Sequence, residues 1–267
     1  MKRLSILICV LCLAAVSQAT ITVTNLTSGG SSTCNNTGFV TASVTPTSGD
    51  LLLLLVAQNW GASNGPTQPS LTGTNGLSGT WTLISDGTHS ASQVFGATQG
   101  TGKARRVAVF ATIATSSVAG TVSGTTPENT TAETCSWGID DIGASNATTG
   151  NLTNGGAFPQ IVVAAQNTAG ATIPQITMGT YASASNGTWG GASMSTTPTL
   201  TGGTCCTRTI HTTVGAGSAI AEFNTGNVTG ANALTYGFTT TSVWGMAGLE
   251  VAIKSTVTKV RKRASWY

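Results

Sequence analysis

Ser63 lies in Gly61-Ala62-Ser63-Asn64-Gly65, the Gly-x-Ser-x-Gly spacing of a nucleophile elbow, with Asp86, Asp140, Asp141 and then His211 following in hydrolase order. An elbow needs a helix directly behind its serine to hold the strained turn. Here Pro66 and Pro69 follow within six residues and forbid one, so Ser63 is expected not to be a nucleophile. His89 and His211 are the two histidines, far apart and without nearby acidic clusters, and both are expected to be surface or strand side chains rather than bases or ligands. A glycosidase needs two carboxylates across one cleft, and of the eight acidic residues only Asp140 and Asp141 are adjacent. On a continuing strand these two point to opposite faces. The functional alternative for them is a calcium-coordinating turn, and the plain alternative is a turn at a strand end. The expectation is a non-enzymatic protein with no catalytic residue, no metal ligand and no cofactor.

The cysteines give a firmer signal. Cys9 and Cys12 fall in the apolar N-terminal segment, which leaves Cys34, Cys135, Cys205 and Cys206. An even number in an exported chain favours disulfides over free thiols. Three connectivities are possible. Adjacent Cys205 and Cys206 rarely pair with each other and point to opposite faces of an extended segment. At least one bridge from Cys205 or Cys206 to Cys34 or Cys135 is therefore expected, and if both are bridged each takes one of those two.

The six tryptophans divide by context. Trp81, Trp137 and Trp244 lie in alternating segments and are expected to pack in the core. Trp60 and Trp189 lie in Asn/Gly-rich stretches, Asn59-Trp60-Gly61 and Asn186-Gly187-Thr188-Trp189-Gly190-Gly191, that read as loops. A loop tryptophan beside amides suits stacking on a sugar ring, with the amides bonding its hydroxyls. Trp60, Asn59, Trp189 and Asn186 are therefore the candidate glycan contacts, and a lid over the end of the fold is the competing role for both rings.

What must position these residues is β-structure. No window after the N-terminal segment sustains the i, i+3, i+4, i+7 spacing of an amphipathic helix, whereas period-two alternation recurs along the chain. It is clearest at 107–113, 234–239 and 249–254, with further candidates at 21–24, 39–44, 80–85, 118–122, 134–139, 160–165, 173–178, 209–214 and 218–223. Leu51 to Val56 is apolar on both faces and must be covered on both, either within the chain or by another subunit. A faint internal echo, a strand ending in Ala-Gln-Asn at 57–59 and again at 165–167, is read either as two pseudo-repeated halves, 20–155 and 156–255, or as chance similarity in a biased composition.

Four stretches carry a resemblance to a known family: Val44-Thr45-Pro46-Thr47-Ser48-Gly49-Asp50-Leu51-Leu52, Gly79 to Ile84, Arg106 to Ala111, and Trp137-Gly138-Ile139-Asp140. Together with the closing run Trp244 to Lys254, they resemble the jelly-roll, concanavalin-like β-sandwich repeats of bacterial secreted proteins and phage tail or fibre proteins. The resemblance implies an all-β fold, a two-sheet antiparallel jelly-roll-type sandwich over residues 20–255, with a structural or adhesive role. It transfers no catalytic residue.

At the N-terminus, Lys2 and Arg3 precede an apolar run from Leu4 to Val16, and Ser17-Gln18-Ala19 supplies small residues for cleavage. Residues 1–19 are expected to be a secretory signal, leaving a secreted or cell-surface protein that starts at Thr20 and has no membrane span. Charged residues make up only 7% of the chain, where about 25% is usual, so neutral hydroxyl and amide groups must keep the surface wet. Such a surface suits sugars or neighbouring copies: the expected partners are a glycan or cell-surface polysaccharide, or self-association. From Thr20 to Ser255 there are five basic and eight acidic residues, and the remaining positive charge is concentrated in the 256–267 tail, read as disordered. A body without a basic face excludes nucleic acid as a partner.

Overall fold

The computed structural model of the protein describes residues 20–32, 34, 38–60, 69–73, 77, 80–85, 93–95, 104–125, 134–166, 175–194, 199–200, 207–214, 218–225, 235–239 and 244–254. All regular structure among them is β, and every strand pairing is antiparallel. The first half of the chain contributes β1 (Thr22–Ser31), β2 (Phe39–Val40), β3 (Leu51–Trp60), β4 (Ser70–Gly73), β5 (Thr82–Leu83), β6 (Gln93–Phe95), β7 (Ala104–Ile113), β8 (Ser123–Thr125) and β9 (Thr134–Gly143). The second contributes β10 (Ile161–Gln166), β11 (Gln175–Thr177), β12 (Gly187–Met194), β13 (Thr199–Leu200), β14 (Thr207–Val214), β15 (Ser218–Thr225), β16 (Thr235–Thr239) and β17 (Trp244–Val251).

The doubly apolar segment Leu51–Val56 is the middle of the first large sheet, ordered β1-β9-β3-β7-β5 with β6 also on β7. Its two faces meet two separate cores, so the chain covers this strand by itself. Leu51, Leu53, Leu55 and Ala57 join Val107, Val109, Ala111 and Ile142 on one face, packed against Trp189, Ala247, Leu249 and Val251 of the second large sheet. Leu54 and Val56 join Ala108, Phe110, Trp137 and Ile139 on the other, under Phe39 of β2, Val122 beside β8 and Leu71 of β4. The second large sheet runs β10-β17-β12-β15-β14, and the three-stranded sheet β11-β16-β13 contacts β10 and β17 through β11.

Both halves thread the same circuit. In the first, β1-β9-β3-β7 form the large sheet and β2-β8-β4 the small one; in the second, β10-β17-β12-β15 and β11-β16-β13 repeat that order strand for strand. The Ala-Gln-Asn echo aligns β3 with β10, whereas by position β3 corresponds to β12. A better echo lies in Thr134-Cys135-Ser136-Trp137-Gly138 and Thr241-Ser242-Val243-Trp244-Gly245, which lead into or lie on the equivalent strands β9 and β17. Registers agree with it. Ile142, five residues past Trp137, faces Leu51 across the ladder, and Leu249, five past Trp244, faces Trp189. Trp189 thus takes in the second half the place that Leu51 takes in the first.

Backbone bonds seal the seam between the halves. Ser145 and Ile253 form a β-bridge, Lys254 N–H donates to Ala144 O at 2.8 Å, and Asn146 N–H donates to Ala252 O at 2.7 Å. At the chain start, Ile21 is buried against the backbone of Gly187, where an added Cβ would come within 2.7 Å of the Ile21 side chain. Gly187 in a central strand therefore marks close approach, not a turn.

Candidate functional site: the buried carboxyl groups

Among the described residues, the polar groups that could do chemistry are few, and most are engaged inside the fold. β9 does not stop at Ile139 but continues to Gly143, so Asp140 and Asp141 lie within a strand and point to opposite faces. Neither the calcium-binding turn nor the plain strand-end turn forms there. Asp140 is fully buried between the two large sheets: the Trp189 indole N–H donates to its Oδ2 at 2.6 Å and Asn25 Nδ2 donates to its Oδ1 at 2.9 Å. Two donors satisfy both oxygens, as a buried carboxylate requires.

Glu250, 1% exposed, faces away from that core and organises the segment ahead of β12. It accepts from Gln160 Nε2 at 2.7 Å, from the Ala182 N–H at 2.8 Å and from Asn186 Nδ2 at 2.5 Å. The Asn186 Oδ1 in turn accepts the Ile253 N–H at 3.1 Å. Nearby, the hydroxyls of Tyr181 and Thr188 are hydrogen-bonded at 2.5 Å.

Asp141 is different. Its side chain is 6% exposed; Oδ2 accepts the Thr47 N–H at 2.8 Å, while Oδ1 is buried without an N–H or O–H donor among the described residues. The half-buried Asp50 carboxyl lies within hydrogen-bonding reach of it, held by a turn in which Gly49 N–H donates to Ala114 O at 2.7 Å and Ala114 N–H to Asp50 O at 2.9 Å. Burial, then the charge and hydrogen bond of Asp141, push the Asp50 pKa up to about 6, against a smaller opposing pull from Lys254.

These placements revise several expectations. Trp189 lies not on a loop but in β12, between β15 and β17, and is fully buried; Asn186 is 3% exposed with both ends of its amide engaged. Neither is presented for a sugar, and Trp189 is a packing residue. The two halves of the expected glycan site are also far apart. Asp140, the partner of Trp189, faces Leu53 of β3, and Trp60 lies seven residues further along that strand, about 23 Å away at ~3.3 Å per residue. Trp60 and Asn59 end β3 opposite Ala104 and Arg105, and their side chains lie outside the described residues.

Among the cysteines, Cys34 and Cys135 form a disulfide with Cα atoms 6.0 Å apart. The expected bridges from Cys205 or Cys206 to these two are thereby corrected; Cys205 and Cys206 lie outside the described residues. The physical reason is that Ser31 of β1 pairs with Cys135 of β9, so the ladder already carries Cys34, three residues on, to the same place. Trp137 packs as expected, stacked on Phe39 with ring centroids 5.3 Å apart, and Trp81 is partly buried against the same core. Ser63, Asp86 and His89 lie outside the described residues, and His211 sits at a bulge in β14 between Ile210 and Thr212.

No family model matches the chain, and no curated protein matches it in sequence. Among the described residues, no group of three His, Cys, Asp or Glu is gathered as a metal site, and no helix is long and apolar enough to cross a membrane.

Proposed function

We propose that this chain is an exported, non-enzymatic structural or adhesive protein of a cell or virion surface, built as two jelly-roll units fused back to back. What supports the jelly-roll reading is the strand order. The first strand of each unit lies beside its last in the large sheet, the third next to the last, and the second, fourth and penultimate strands make the small sheet. Export is supported by the basic-apolar-small pattern of residues 1–19 and by the Cys34–Cys135 disulfide.

One observation carries the structural role: the polar side chains best suited to grip a ligand, Asp140, Glu250, Asn186 and the Trp189 indole, are consumed in fastening the fold. A binding module would keep such groups for its ligand. Here they hold the two large sheets together and anchor the segment ahead of β12, leaving a hydroxyl- and amide-rich exterior of low charge that suits lateral contact with other molecules.

The test is localisation with antibodies raised against the folded protein. The account expects surface labelling of intact cells or particles and a mature N-terminus at Thr20. Retention of residues 1–19 on a protein confined to the cytoplasmic fraction would contradict it, and tight, selective retention on one glycan would replace it with the carbohydrate-binding alternative.

A further inference from the structure

Asp140 and Glu250 show what this fold does with a buried carboxylate: every oxygen receives a donor. Asp141 breaks that pattern. Its Oδ2 has the Thr47 N–H, but its buried Oδ1 has no N–H or O–H donor among the described residues, and the group within reach is a second carboxyl, that of Asp50. A buried acceptor left unsatisfied costs about 1–3 kcal/mol, and more when charged. Two ionised carboxyl groups in contact add repulsion to that cost. A single hydrogen held between them removes both penalties at once.

We propose that Asp50 and Asp141 share one hydrogen between their carboxyl groups, an acid-tightened clasp that fastens the 47–50 turn onto β9. The Asp50 carboxyl takes a proton from solvent and its O–H donates to Asp141. Among the described residues, the groups facing Asp50 are few. Asp141 comes from β9 and Lys254 from the segment after β17, while Thr22 of β1 brings a neutral hydroxyl to the same corner: a Cβ on Gly143 would meet both Thr22 Oγ1 and Asp50 Oδ2. Asp140 points to the opposite face, toward Trp189.

The location gives the clasp its consequence. Asp50 closes a turn whose Gly49 has φ of 91°, and Lys254, whose charge reaches Asp50, is bonded through its backbone to Ala144 at the seam between the halves. With the Asp50 pKa raised from its ordinary 3.8 to about 6, the native state binds this proton more tightly than the unfolded chain does. The stabilisation is therefore complete below about pH 4 and is lost as pH rises through about 6. Above that, the two carboxylates repel, and Lys254 is left as the compensating charge. An acidic setting tightens the turn; a neutral one loosens it.

The experiment compares melting temperatures of the full chain and Asp50→Asn from about pH 4.5 to about pH 7.5, alongside carboxyl carbon NMR of the unmodified protein. The amide introduced by that substitution supplies a permanent N–H donor to Asp141, so across this range the unmodified protein should lose about 3 °C relative to the variant. One aspartate carboxyl resonance should titrate near 6. Parallel pH profiles for the two proteins, or no aspartate titrating above the ordinary carboxylate range, would overturn the clasp. So would added calcium that raises the melting temperature of the unmodified protein at neutral pH but not that of Asp50→Asn, because the orphan oxygen would then belong to a metal ion. The NMR titration needs no variant to fold.

Discussion

Replacing Trp189 with alanine separates a packing role from a ligand-binding one. The side chain is fully buried between the large sheets, in one cluster with Leu51, Leu53, Ala247 and Leu249, and its indole donates to Asp140 at 2.6 Å. Removing a buried aromatic costs about 3–5 kcal/mol through lost transfer and the cavity left behind. Orphaning Oδ2 of a fully buried aspartate adds roughly 1–3 kcal/mol. At ~2–4 °C per kcal/mol for a chain of this size, the melting temperature should fall by at least about 10 °C. Trp189→Phe keeps most of the ring and loses the N–H, so it should cost about 2–3 kcal/mol. A double-mutant cycle of Trp189→Phe with Asp140→Ala should show a coupling of roughly 1–2 kcal/mol. Differential scanning calorimetry reads all three. If Trp189→Ala melted within about 2 °C of the unmodified protein, the burial and the hydrogen bond would both be refuted as stabilising features.

Peptide mapping without reduction should recover Cys34 linked to Cys135, and Cys34→Ser should lower stability by about 3–5 kcal/mol, since the bridge closes a loop with a sequence separation of 101. Glu250→Gln keeps one oxygen to accept from the Ala182 N–H and Asn186 Nδ2 and turns its new NH2 group onto the donating Gln160 Nε2; calorimetry should show a loss of about 1–3 kcal/mol.

The architecture is legible where the alternation is clean. The segment 107–113 lies within β7, 234–239 overlaps β16, and the doubly apolar run at Leu51 is the central strand of a sheet with cores on both faces. Trp189 departs from its loop-like sequence for a physical reason. Asn186-Gly187-Thr188-Trp189-Gly190-Gly191 has the composition of a loop, but strands on both sides, β15 and β17, supply the ladder that glycine cannot favour locally. Position 187 is a glycine because Ile21 must approach its backbone, a contact of long sequence separation that no local window contains. The weight of Asp141 is equally hidden, since its importance comes from Asp50, 91 residues earlier, and from a strand that runs past the expected end at Ile139. The signal that reveals the repeat, the matching Thr-x-x-Trp-Gly runs at 134–138 and 241–245, is present in the sequence but outweighed by a stronger chance match elsewhere.

The central claim is that two equivalent units share one core through their large sheets and are fastened by Trp189 and Asp140. Calorimetry of the full chain, with heat and van't Hoff enthalpies compared, tests it most directly. The account predicts a single cooperative transition with equal enthalpies, shifted as a whole by Trp189→Ala in the second half and by Trp137→Ala in the first. Two separable transitions, each responding to the substitution in its own half alone, would contradict it.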